Sequence, residues 1–85
     1  MESDLAYLYQ TFLNLKTEQD VEYLLLDLCS KDEIKSMAQR IKAAKMLMEG
    51  NTYEQIIAKT ELSSTTLSRV SKCVKNGNGY KNFVK

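Results

Sequence analysis

Histidine and proline are absent from this chain of 85 residues, glycine occurs three times and cysteine twice. Without histidine the commonest metal ligand and general base is missing. Cys29 and Cys73 stand too far apart for zinc-ligand spacing, so no metal site is expected. They read instead as buried or half-buried free thiols on helical faces. No glycine-rich phosphate loop occurs, and no nucleophile stands at a recognisable spacing from a base. The neighbouring acids Asp32 and Glu33 sit where a helix begins. Neither an enzyme nor a cofactor is expected. No apolar run approaches the ~20 residues of a membrane span. The opening Met-Glu-Ser-Asp does not resemble a signal peptide, which points to a cytoplasmic protein. With no proline, glycine only at Gly50, Gly77 and Gly79, and 44% hydrophobic residues, the chain predicts an all-α fold of five to six helices.

Eighty-five residues make one small domain whose monomer buries a small share of its surface. The formal net charge of +1 conceals an uneven distribution. Residues 1–33 carry eight acidic and two basic side chains; residues 34–85 carry ten basic and three acidic ones. The second part is the one drawn to phosphates.

From the N-terminus, Asp4 to Leu15 reads as a helix with Leu5, Leu8, Phe12 and Leu15 on one face. Thr17 caps a second helix, Glu18 to Cys29, whose core stripe is Val21, Leu24, Leu25 and Leu28. Tyr23 and Leu26 widen that stripe beyond one face. So broad an apolar surface on so short a chain calls for a second copy. Leu5, Leu8, Phe12, Tyr23, Leu24, Leu26 and Leu28 are therefore the candidate dimer interface, and residues 1–29 the dimerisation helices. Ser30 with Glu33 is a capping box for a central helix over 30–50. Its inner stripe reads Ile34, Met37, Ala38, Ile41, Ala44 and Met48, with Leu47 beside it. Gly50 supplies a left-handed helix end.

Residues 52–75 read as two short helices about a tight turn. Thr52 with Gln55 opens the first, Tyr53 to Lys59. Ser63 or Ser64 caps the second, Ser64 to Val74. Ile56, Leu62, Leu67 and Val70 supply the apolar contacts between them. The second helix starts with small hydroxylated residues, Ser64, Thr65, Thr66 and Ser68, and continues with Arg69, Lys72 and Lys75. That is the pattern of a helix-turn-helix whose second helix enters a major groove. Lys59, Arg69, Lys72 and Lys75 suit phosphates, and Tyr53 and Gln55 lie at a helix N-terminus that attracts them. Residues 76–85 read as a turn-rich tail, too short for a stable helix alone.

Leu62 to Val70 looks like the turn and recognition helix of many bacterial repressors. Upstream stand Leu28-Cys29, Asp32 to Ile34, Met37 to Arg40, Ala44 and Met46 to Tyr53. Together these segments resemble the Trp repressor superfamily, in particular its small YerC/YecD branch, between Phe12 and Tyr80. The resemblance implies an intertwined homodimer with interlocking N-terminal helices. It also implies base reading by Ser64, Thr65 and Ser68, with Thr66 at a phosphate or inside the turn. Arg40 and Arg69 align with two arginines that hold the corepressor in the tryptophan-sensing member. Val70 and Cys73 stand where that member has glycine and serine, so tryptophan is not the expected ligand and a small-molecule corepressor is left open. Glu61 stands where such turns usually have glycine, at a cost of about 1 kcal/mol if its φ is positive.

The expected function is sequence-specific binding of double-stranded DNA by a repressor-like transcription regulator. The alternative is a helical protein-interaction module with little DNA affinity, suggested by the acidic first part and its wide apolar face.

Overall fold

The computed structural model describes residues 2–85, with side chains from Ser3 onward. Its helices are α1 (Glu2–Leu13), α2 (Glu18–Leu28), α3 (Lys31–Met48), α4 (Tyr53–Thr60), α5 (Ser64–Asn76) and α6 (Tyr80–Phe83). Among the described residues there is no strand. The chain gathers into two compact units, Met1–Ile34 and Lys35–Lys85, so the division falls within α3.

In the first unit α1 ends two residues before the expected Leu15. The chain leaves the helix after Leu13 through a turn in which Asn14 N–H donates to Thr11 O and Leu15 N–H to Phe12 O, both at 3.1 Å. The start of α2 follows expectation. Asp20 N–H donates to Thr17 Oγ1 at 3.1 Å, while Asp20 Oδ2 accepts from the Lys16 and Thr17 amides. Ser30 and Glu33 form the same reciprocal pair at the start of α3, at 2.7 and 3.1 Å. These bonds satisfy amides that a helix start leaves without intrahelical partners. None of the side chains from Ser3 to Ile34 is buried. Leu5, Leu8, Phe12, Tyr23, Leu26 and Leu28 are exposed and Leu24 is half-buried.

The caps carry a pH dependence. Bonding from the Lys16 amide lowers the Asp20 pKa from its ordinary 3.8, helped by Thr17 and opposed by desolvation. Bonding from the Ser30 amide and hydroxyl lowers that of Glu33 from 4.5, again against desolvation. A carboxyl depressed in the fold contributes stability that is present above its ordinary value and lost as pH falls through the lowered one. Thermal melts should thus hold steady near neutrality and decline below the 4.5 of an ordinary glutamate. Glu33→Gln should show a shallower decline than the parent; an identical acid limb would remove this cap from the account.

The second unit has a small core of Ala43, Ala44, Ile56, Leu62, Leu67 and Val70, flanked by Met46, Leu47, Ile57, Val74 and Tyr80. The four expected contacts of the helix-turn-helix are all buried, Ile56 and Leu67 completely. The expected stripe of α3 needs correcting. Ala38, Ile41 and Met48 are exposed, whereas Ala43 joins Ala44 at zero exposure. The buried face of α3 is thus set by Ala43 and Ala44, whose side chains end at Cβ and let neighbouring elements approach closely. Gly50 takes φ +88°. Its N–H donates to Leu47 O and that of Asn51 to Met46 O, both at 3.1 Å, the paired bonds of a Schellman cap. At the end of the turn-rich tail residues 80–83 form one helical turn, with Tyr80 packed against the core.

Candidate nucleic-acid interface

Two capped starts place α4 and α5. Gln55 N–H donates to Thr52 Oγ1 at 3.2 Å, and Thr52 N–H returns a bond to Gln55 Oε1 at 2.9 Å. The Gln55 side-chain carbonyl is thus occupied by the cap, while its amide donors are not. Ser63 rather than Ser64 caps α5: its Oγ accepts from Thr66 N–H at 3.1 Å and donates to Thr66 Oγ1 at 3.0 Å. Thr66 is half-buried. Its bonds to Ser63 tie it to the start of α5.

Glu61, between the helices, has φ 61° and ψ 15°. It is a left-handed residue with a Cβ, strained by ~1 kcal/mol or more relative to glycine. The Cys73 carbonyl lies 2.8 Å from where a Cβ on Gly77 would stand, which explains glycine at the end of α5.

The helical repeat sorts the faces of α5. Leu67, Val70 and Ser71 point into the core with Val74 beside them. Ser64, Thr65, Ser68, Lys72 and Lys75 are exposed. Positions 64, 68, 72 and 75 follow one another at intervals of four, four and three, so they form one ridge. No acidic residue occurs in α5. Lys59 and Tyr53 are exposed on α4. The nearest acids in sequence are Glu54 and Glu61, both exposed.

On the flank of α5 lies a cavity of about 270 Å³ lined by Ser36, Arg40, Leu62, Thr66, Arg69, Val70, Cys73 and Tyr80. Arg40 Nη2 donates to Ser36 Oγ at 3.4 Å. Two arginines and no carboxylate border this space. Arg69, read from spacing as one more cation beside Lys72 and Lys75, therefore lies at the margin between the ridge and the cavity. Cys73 is exposed, against the expectation of a covered thiol, while Cys29 is half-buried. Position 73 lies on the side of α5 that turns away from Leu67 and Val74, where the cavity opens. Ser36 and Tyr80 were not among the expected site residues, and no local spacing relates either of them to Arg69.

The Trp repressor protein family model matches residues 3–85. The chain belongs to the Trp repressor family. It is 43% identical over 75 residues to the Bacillus subtilis protein YerC, itself uncharacterised, covering 88% of this chain and 72% of that one. A TrpR-like protein from Eubacterium eligens superposes with a TM-score of 0.89 at 39% identity, over 93% of this chain and 82% of that one. A candidate Trp repressor from Staphylococcus aureus gives 0.88 at 34% identity, over 93% and 80%. These relatives support the YerC-like branch and the TrpR-like all-helical fold. The family is one of regulators rather than enzymes. No described helix is long and apolar enough to cross a membrane.

Proposed function

We propose that this Trp repressor family member is a cytoplasmic homodimer that binds double-stranded DNA and regulates transcription. One observation carries the reading: the exposed ridge of α5 combines short hydroxyls at its start with lysines further on and has no acidic residue. Ser64, Thr65 and Ser68 reach base edges, where hydroxyls both donate and accept. Lys72, Lys75 and Lys59 meet phosphates, with Arg69 at the margin, Thr66 holding the turn beside them, and Tyr53 and Gln55 at the start of α4. Leu5, Leu8, Phe12, Tyr23, Leu24, Leu26 and Leu28 form the dimer contact, in support of which no side chain from Ser3 to Ile34 is buried. Two α5 helices then address successive major grooves ~34 Å apart. Arg40 and Arg69 make the cavity a place for an anionic effector. Val70 and Cys73 line it, so tryptophan is not the ligand we expect.

Selection of bound sequences from a random DNA pool at two salt concentrations tests this. A two-fold symmetric motif with half-sites about one helical turn apart is the expected outcome. Salt-sensitive background alone would favour a protein-interaction module instead, or a missing effector. The dimer is tested separately by sedimentation: Phe12→Asp with Leu26→Asp should convert dimer to monomer, and an unchanged sedimentation coefficient would sink that interface.

A further inference from the structure

The peptide groups on both sides of Glu61 are pinned by the last turn of α4. Glu61 N–H donates to Ile57 O at 2.9 Å. On its other side, Leu62 N–H donates to Thr60 Oγ1 at 3.4 Å, a long bond within a buried setting. The same hydroxyl donates its own proton to Ile56 O at 2.7 Å, so Thr60 uses both its donor and its acceptor capacity. Thr60 is 3% exposed and Leu62 7%, and hence water competes little for these groups. Apart from glycine, Glu61 alone among the described residues has positive φ. A strained conformation persists where its surroundings over-determine it. The residue that follows this pair is Leu62, buried in the core, and then Ser63, the cap of α5.

We infer that Thr60 is a positioning residue. Its buried hydroxyl clamps Glu61 in the left-handed conformation, taking the place of the conformational freedom a glycine would supply, and so sets the angle at which α5 is presented. The functional part of this inference rests on the DNA-binding reading; the clamp itself does not.

The variants are Thr60→Val, which keeps the shape and removes the hydroxyl, Thr60→Ser, which keeps the hydroxyl, and each of these with Glu61→Gly. Three readouts are taken on the full chain: unfolding equilibrium, amide exchange at Leu62, and the ratio of affinity for a selected site over a random duplex at one salt concentration. Thr60→Val should speed Leu62 exchange and shift the unfolding equilibrium about ten-fold, as expected for a buried donor left without its partner. Thr60→Ser should restore most of both. In the Glu61→Gly background the unfolding shift caused by Thr60→Val should be smaller, since a glycine needs no clamp, and should reduce to the cost of the Leu62 N–H left without its partner. The affinity ratio should fall in Thr60→Val and recover in Thr60→Ser, while affinity for the random duplex stays constant because no phosphate contact is touched. Equal unfolding shifts with and without Glu61→Gly, or a serine variant as impaired as valine, would overturn the clamp. A parent protein that does not distinguish the selected site from a random duplex would defeat the DNA-binding reading, and the clamp would then be decided by unfolding and exchange.

Discussion

Lys72→Ala combined with Lys75→Ala is expected to lower DNA affinity by roughly 4,000-fold at ~0.1 M salt. The size follows from counterion release. Each B-DNA phosphate that is no longer neutralised reduces the slope of log affinity against log salt by ~0.9, and at that salt each is worth about eight-fold. The proposed dimer without both lysines would neutralise about four fewer phosphates, so the slope should fall by ~3.6. Both side chains are exposed. Their removal opens no cavity and should leave thermal stability within ~0.5 kcal/mol. Fluorescence anisotropy over a salt series separates the alternatives. A slope reduced by half as much would mean that one lysine per subunit meets phosphate. An unchanged slope would remove the ridge from the interface. Arg69→Ala is the informative companion, since the structure places Arg69 against the cavity as well as near the ridge. Its slope change should be smaller than that of either lysine.

The features legible in advance are those written in short segments. The pairs Thr17–Asp20, Ser30–Glu33 and Thr52–Gln55 form their reciprocal bonds, and Thr17, Ser30 and Thr52 could be read as starts because a cap depends on residues three apart. Ile56, Leu62, Leu67 and Val70 were legible as core because both helices and their turn are short, so few faces are available. The face of α3 was harder. It carries apolar residues around much of its circumference, and periodicity favours Ala38, Ile41 and Met48 over Ala43, although only Ala43 and Ala44 of this helix are buried. The cavity was legible only by half. Arg40 and Arg69 were named through resemblance, but Ser36 and Tyr80 reach it through tertiary packing, which no local pattern encodes. The single turn of α6 likewise depends on where Tyr80 docks rather than on its own four residues.

Leu67→Ala should destabilise the protein by ~3 kcal/mol, the range for removing a leucine side chain from a closed core. Leu67 has no exposure and belongs to the same buried cluster as Ile56, Leu62 and Val70. That cluster has only six members, two of them alanines, so few side chains can move in to fill the space. For a domain of this size ~3 kcal/mol corresponds to a fall in Tm of roughly 12–24 °C. Lys45→Ala, at an exposed position of α3, is the control and should change stability by no more than ~0.5 kcal/mol. Melts must be compared at one protein concentration, because the stability of the proposed dimer would depend on it. Function should follow stability in a specific way. Leu67 faces the core and Ser68 the ridge, so the variant should lose DNA affinity in proportion to its unfolded fraction and regain it on cooling, with an unchanged salt slope. A Tm within a few degrees of the parent would mean that α5 is not anchored on the second unit's core through Leu67. An affinity that stays low even where circular dichroism shows full folding would mean instead that Leu67 holds the angle of α5 as well as its stability, a role otherwise belonging to Thr60.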